Sequence, residues 1–217
     1  MEIYWRGQAC FEIRALSADP KIKTRIVTDP YNNSIGLKLP LIKADLVLMS
    51  NNHDDHNNSA AVKDNPFIIE EPGEYEVKDV FIRGFSASHG QKDKKDLGKI
   101  VIYTIEAEGI KLCHLGDFGQ EELLPEQLEG VGDVDILMIP VGGKYTIDGE
   151  TAQKIANQIE PKIIIPMHYK IPDLKVDIAG VGEFLKAMGQ EDLKPEDCLK
   201  IKKDDLSSET KIILLKA

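Results

Sequence analysis

Apolar stretches of this chain repeatedly run out into histidine or aspartate. Leu46-Val47-Leu48-Met49 empties into Ser50-Asn51-Asn52-His53-Asp54-Asp55-His56-Asn57, and Ile110 to Leu115 leads to Gly116-Asp117. Ile163-Ile164-Ile165-Pro166-Met167 leads to His168, and Phe81 to Ser86 is followed by His89. The chain holds only five histidines, so their gathering at the ends of apolar runs is a pattern rather than a by-product of composition. Buried strands that finish in imidazoles and carboxylates present them where open α/β sheets place their sites. Any fold that suits this sequence must therefore bring several strand ends, far apart in the chain, to one edge.

The rest of the chain supplies the strands. The first half reads as short β-strands at Glu2 to Trp5, Cys10 to Arg14, Arg25 to Thr28, Asp45 to Met49, Phe67 to Glu70, Tyr75 to Val80 and Val80 to Ser86. Gly7, Pro30, Asn32-Asn33, Pro40 and Pro72-Gly73 punctuate them. Val101 to Glu106 and Ile110 to Leu115 flank a hairpin signal at Ala107-Glu108-Gly109, and Asp93 to Lys95 reads as a solvated, charged loop. In the second half, strand-like runs (Val134 to Pro140, Lys162 to Pro166) alternate with helical patterns at Glu121 to Glu129, Glu150 to Ile159 and Val181 to Met188. Lys211 to Leu215 closes the chain as a strand. With no fixed-period repeat and no low-complexity linker, residues 1–217 read as one mixed α+β domain.

Charge and cysteine usage exclude several classes. With 27 basic residues against 37 acidic ones the formal charge is -10, which repels nucleic-acid phosphates and anionic membranes. No apolar run approaches the roughly 20 residues of a membrane span, and the start of the sequence lacks a signal-peptide layout. Cys10, Cys113 and Cys198 are odd in number and free of any CxxC spacing, which fits a reducing compartment. The expectation is a cytoplasmic protein with a small-molecule substrate, no nucleic-acid or membrane partner, and room for homo-oligomers.

Neutral imidazoles with carboxylates and no thiolates suit Zn²⁺, Mn²⁺, Fe²⁺ or Ni²⁺. Plainer readings exist for single residues. Asp55 could cap a helix beginning near Ser59. His114, flanked by Cys113 and Leu115 within a strand, reads as a hydrogen-bonded support rather than a ligand.

The motifs together resemble the metallo-β-lactamase superfamily, in particular its small metal-dependent hydrolases, a group that includes the bacterial ascorbate-6-phosphate lactonase. Trp5-Arg6-Gly7-Gln8-Ala9-Cys10-Phe11 is similar to that group's opening hairpin, and Asp29-Pro30-Tyr31 to its first acidic motif. The block Asn51 to His56, the isolated His89, Gly116-Asp117, Pro140 to Thr146 and Pro166-Met167-His168-Tyr169-Lys170 follow in the family's order. The resemblance implies an αβ/βα sandwich of two mixed sheets packed face to face, with helices outside.

It further implies two metal positions. One would use Asp55, His56 and His168, the other His53 and His89, and Asp117 would bridge them. The family's leading histidine in the block is Asn51 here, and Gln8 stands where relatives often carry a histidine near the metals. The resemblance thus implies one well-held divalent ion, zinc or manganese, and a weakly held second. Metal-assisted hydrolysis of a small, anionic ester, lactone or phosphoester follows, through a metal-bound hydroxide, with Asp55 or Asp117 orienting the nucleophile or taking its proton. Lys144, Tyr145 and Tyr169 are the candidate substrate-binding residues. The competing reading, motivated by Asn51 and Gln8, is a catalytically impaired relative that serves as a ligand-binding or assembly module. A nuclease of the RNA-processing branch is disfavoured by the acidic surface and by the lack of room for an RNA-gripping insertion.

Overall fold

Alternating burial along Glu2–Trp5 turns Ile3 and Trp5 inward, as a strand with one covered face requires. That strand lies in a six-stranded sheet ordered Leu199–Lys200, Glu2–Trp5, Phe11–Leu16, Lys23–Thr28, Leu46–Leu48, Phe67–Ile69. The computed structural model describes residues 1–17, 22–92, 95–96 and 98–217. Early strands of this sheet pair antiparallel, but Lys23–Thr28, Leu46–Leu48 and Phe67–Ile69 run parallel, so their C-terminal ends share an edge.

A seven-stranded sheet faces it, ordered Lys211–Ile212, Ile163–Met167, Ile136–Pro140, Ile110–His114, Lys99–Ala107, Val80–Ser88, Gly73–Val77. Ile110–His114, Ile136–Pro140 and Ile163–Met167 are again parallel. Ile136–Pro140 and Ile163–Met167 are buried at every position, the mark of parallel strands covered on both faces. Helix α2 (Gly149–Ile159) follows the first of them and buries Ala152, Ile155, Ala156 and Ile159. Its N-terminal amide at Thr151 is capped by the Asp148 carboxylate at 2.9 Å.

One apolar core joins the inner faces: Ile3, Trp5, Phe11 and Ile13 belong to the same buried cluster as Ile82, Ile102, Leu112, Leu137 and Ile164. A second cluster, with Val27, Tyr31, Val47, Met49, Val62 and Ile178, covers the back of the first sheet. This is the expected sandwich of two mixed sheets. Among the described residues, no helix is long and apolar enough to cross a membrane.

Several expected boundaries move for identifiable reasons. The helix read at Glu121 to Glu129 is observed at Pro125–Val131, because Pro125 occupies its first turn and bars helical backbone at Leu124. The strands read as meeting at Val80 are a hairpin, Gly73–Val77 with Val80–Ser88, turned through Lys78 and Asp79 at φ of 50° and 62°. Lys211 to Leu215 shortens to Lys211–Ile212. Leu199–Lys200, too short to show a period in the sequence, is a strand that pairs with Glu2 and Ile3 at the sheet's edge. Positions 93 and 94 of the expected charged loop lie outside the described residues, while Gln91–Lys92 pairs with Lys95–Asp96 as a small ladder.

Tyr103, fully buried, ties the two sheets together just below the site. Its hydroxyl donates to the Met49 carbonyl at 2.9 Å and lies 3.2 Å from that of Ile69. Tyr103→Phe keeps the ring and removes this link, so urea denaturation should show a loss of about 1–2 kcal/mol with an unchanged slope.

Candidate metal centre

Each piece of the site is delivered by the end of a strand. Leu46–Leu48 hands over to the segment 49–58, which folds back on itself as His56 N donates to His53 O at 2.8 Å. That segment is pinned to the neighbouring strand end by Asn58 N to Pro30 O (2.7 Å) and Asn32 N to Asp54 O (2.9 Å). Ile110–His114 ends one turn before Asp117, Val80–Ser88 ends beside His89, and Ile163–Met167 ends beside His168.

Asp117 is the centre of the arrangement. Its Oδ1 lies 2.8 Å from His56 Nε2 and 3.2 Å from His168 Nε2, and its Oδ2 lies 3.4 Å from His89 Nε2 and 3.9 Å from His53 Nδ1. Asp55 Oδ2 stands 3.5 Å from His56 Nε2 and 3.8 Å from His168 Nε2. Two groups result, Asp55–His56–His168 and His53–His89–Asp117, the ligand atoms of each lying within 4.8 Å of one another. His56, His89, Asp117 and His168 are buried, whereas the His53 side chain is 49% exposed.

These residues fit a divalent cation on a structural ground. His56 Nε2, His89 Nε2 and Asp117 Oδ1 are buried without a hydrogen bond, although His56 Nε2 and Asp117 Oδ1 are only 2.8 Å apart. Such proximity without hydrogen-bond alignment is what atoms aimed at a common point produce. Leaving polar atoms unpaired in an interior costs about 1–3 kcal/mol each, and a shared cation removes that penalty.

Electrostatics point the same way. Burial disfavours charge on His56, yet Asp117, Asp29 and Asp55 outweigh it and raise its pKa well above the ordinary imidazole value, a carboxylate field that a cation would satisfy in place of the imidazole proton. Burial also works against ionising Asp55 and Asp117, but His56 and His168 more than offset it and hold both carboxyls far below the usual range. Burial lowers the pKa of His89 and keeps that imidazole neutral, as a ligand must be.

Asp29 is the residue the sequence reading left out of the site. Its Oδ2 lies 3.0 Å from His56 Nδ1, and its carboxylate accepts from Ser50 N at 2.6 Å and Ser50 Oγ at 2.7 Å. A carboxylate on the far nitrogen of an imidazole fixes the ring's orientation and raises its basicity. The available signal was the acidic motif Asp29-Pro30 after a buried strand. Three residues of the site carry positive φ: Gln8, Asp29 and His168 adopt 49°, 40° and 51°. Gly116 is required because a Cβ there would stand 2.4 Å from Ser50 Cβ, and at Gly119 one would stand 1.9 Å from the His89 carbonyl.

The remaining sequence candidates divide. Asp55 caps no helix: Ser59–Ala61 is a single 3-10 turn preceded by Asn58. His114 is a support, its Nε2 2.8 Å from Ala9 O. Asn51 turns its amide nitrogen to Asp117 Oδ2 at 2.9 Å and its oxygen to His53 N at 2.8 Å, so it presents a donor to the second group. Gln8 Nε2 donates to Asp55 Oδ2 at 3.0 Å. Lys144 is ion-paired with Asp177, Tyr145 is partly exposed, and buried Tyr169 packs its ring 4.8 Å from that of Trp5. A cavity of about 330 Å³ shares Asn51 and His53 with the cluster and is walled by Glu70, Glu71, Ser86 and Lys99.

Comparison with known proteins agrees with this architecture. The sequence profile of the β-lactamase superfamily domain matches residues 2–168. A UPF0173 metal-dependent hydrolase of Thermococcus onnurineus is 29% identical over 93% of this chain and all of its own length. A UPF0173 protein of Pyrococcus furiosus is 31% identical over 78% of this chain and 83% of its own. A crystal structure from Thermotoga maritima, described as a candidate zinc-dependent hydrolase of the metallo-β-lactamase superfamily, superposes with a TM-score of 0.78 at 35% identity, covering 99% of this chain and 97% of that one. The chain belongs to the metallo-β-lactamase superfamily. Membership implies a divalent metal.

Asp29→Asn removes the anion behind His56 while keeping its shape. It should weaken divalent-metal affinity by about 10- to 100-fold, read by competition with a chelating dye, with the circular dichroism spectrum unchanged.

Proposed function

We propose that the protein is a metal-dependent hydrolase of a small ester, lactone or phosphoester. The observation that carries this reading is the pair of His–Asp groups meeting on the two oxygens of one buried carboxylate. A divalent ion at such a centre supplies an acidified water and polarises a carbonyl or phosphoryl oxygen. Asp55 and Asp117, held ionised by their imidazole neighbours, are the groups able to orient a nucleophile by accepting its hydrogen bond, while their lowered basicity leaves them weak proton acceptors.

The cavity beside His53 is the natural place for the substrate, and its walls bear on the anionic character expected of it. Lys99 offers a cation, while Glu70 and Glu71 oppose negative charge. Lys144, Tyr145 and Tyr169 remain the candidates for substrate contact. Cysteines 10, 113 and 198 are free, in keeping with a cytoplasmic, reducing setting.

The metal positions are unequal in this reading. Asp55–His56–His168 with Asp117 is complete and, apart from the half-buried Asp55, buried, whereas the His53–His89 side has an exposed histidine and the Asn51 amide where a third imidazole would stand. Zinc or manganese would load tightly at the first and weakly at the second. The Asn51 donor also motivates the second reading, a binding module that has lost hydrolysis.

Purified protein supplemented with Zn²⁺ or Mn²⁺ should retain one ion per chain after desalting and show metal-stimulated turnover within a panel of esters, lactones and phosphodiesters. His168→Ala should lose both. Asn51→His should move the stoichiometry toward two and raise turnover. Wild-type protein that retains no ion, and turns over nothing in the panel with added metal, would sink the proposal; retained metal without turnover would favour the binding module.

A further inference from the structure

Gln8 is fully buried, and its backbone is fastened from two sides. Its carbonyl accepts from Trp5 Nε1 at 2.8 Å and from His168 N at 3.1 Å. The residue is held at φ 49°, a conformation an L side chain other than asparagine or aspartate adopts infrequently. The result of this constraint is that the amide projects into the cluster, with Nε2 3.0 Å from Asp55 Oδ2 and 3.3 Å from His168 Nε2. The other amide atom, Oε1, is buried with no hydrogen-bond partner.

Those separations are the informative part. With bonds of about 2.0–2.1 Å and angles of about 90–120°, the donor atoms of a five-coordinate ion stand roughly 2.9–3.6 Å from each other. Asp55 Oδ2 to His56 Nε2 is 3.5 Å and Asp117 Oδ1 to His168 Nε2 is 3.2 Å. The terminal atom of Gln8, at 3.0 and 3.3 Å from its neighbours, belongs to the same polyhedron. An N–H is the wrong group there, because a His168 Nε2 whose lone pair is given to a cation cannot also accept a hydrogen bond. A half-turn of the amide about its last bond exchanges nitrogen for oxygen without moving the chain and aims Oε1 at the cluster.

We infer that Gln8 is a further ligand of the ion held by Asp55, His56, Asp117 and His168, bound through Oε1. The inference rests on the reading of this cluster as a metal site. It makes the donor set two imidazole nitrogens, two carboxylate oxygens and one amide oxygen, a richer oxygen complement that moves the site toward harder ions such as Mn²⁺.

The test uses the full chain, with metal affinity measured by dye competition and Co²⁺ absorption reporting coordination number. Gln8→Asn tolerates the left-handed backbone but withdraws the amide by one methylene. It should weaken Zn²⁺ and Mn²⁺ binding by at least about 10-fold, and the visible bands of the Co²⁺ form should intensify as the coordination number falls. Gln8→Glu restores an oxygen at the same reach and should bring affinity and spectrum back toward wild type. Wild-type affinity and an unchanged Co²⁺ spectrum in Gln8→Asn would overturn the assignment of Gln8 alone. So would failure of a folded Gln8→Glu protein to hold the ion, which decides the matter if Gln8→Asn does not fold. Wild-type protein that binds no ion removes the metal site itself and this inference with it.

Discussion

A carboxylate taken out of water needs compensation on every lone pair, and Asp117, ringed by four imidazoles, receives a hydrogen bond from Asn51 on Oδ2 and none on Oδ1, which leaves that oxygen for a cation. Its Oδ1 faces His56 and His168, its Oδ2 faces His53 and His89, and it is only 2% exposed. No single strand could supply such a set. The two-sheet sandwich exists, from the site's standpoint, to bring the C-terminal ends of parallel strands in both sheets to the same rim. Tyr103 and the shared apolar core fix the distance between those ends, and Gly116 and Gly119 allow backbones to approach where a Cβ would collide.

Around this carboxylate the second tier of contacts determines which way each ring faces. Asp29 holds His56 from behind and is itself held by Ser50, the residue that opens the site segment. Gln8 holds His168 through its backbone carbonyl and reaches the same cluster through its amide. The strained φ values at Gln8, Asp29 and His168 fall on the residues that aim the cluster. Strain of about 1–3 kcal/mol per residue persists only where the surroundings over-determine it, and here the surroundings are each other.

Much of this was legible in the sequence, and the physical reason is periodicity. A short β-branched run such as Ile163-Ile164-Ile165-Pro166-Met167 suits a strand covered on both faces, and a histidine immediately after it then falls at the strand end. The order of motifs then gave the superfamily resemblance, which the profile match over residues 2–168 bears out. What escaped was set by contacts rather than by pattern. Asp29 carries its role through a backbone angle and a partner twenty-one positions away, Ser50. The strand Leu199–Lys200 has no period to read, and the start of helix α1 (Pro125–Val131) is decided by one proline against a longer helical pattern. The choice between nitrogen and oxygen at Asn51 and Gln8 is invisible to residue type, because an amide carries both.

The central claim is that Asp55, His56, Asp117 and His168 surround one cation. Anomalous X-ray scattering from crystals of the metal-loaded protein, recorded on both sides of the absorption edge of the added metal, addresses it directly. The account predicts a strong peak enclosed by those four side chains and a weaker one, or none, beside His53 and His89. A peak elsewhere on the chain with this cluster bare, under conditions where the protein holds stoichiometric metal in solution, would contradict it.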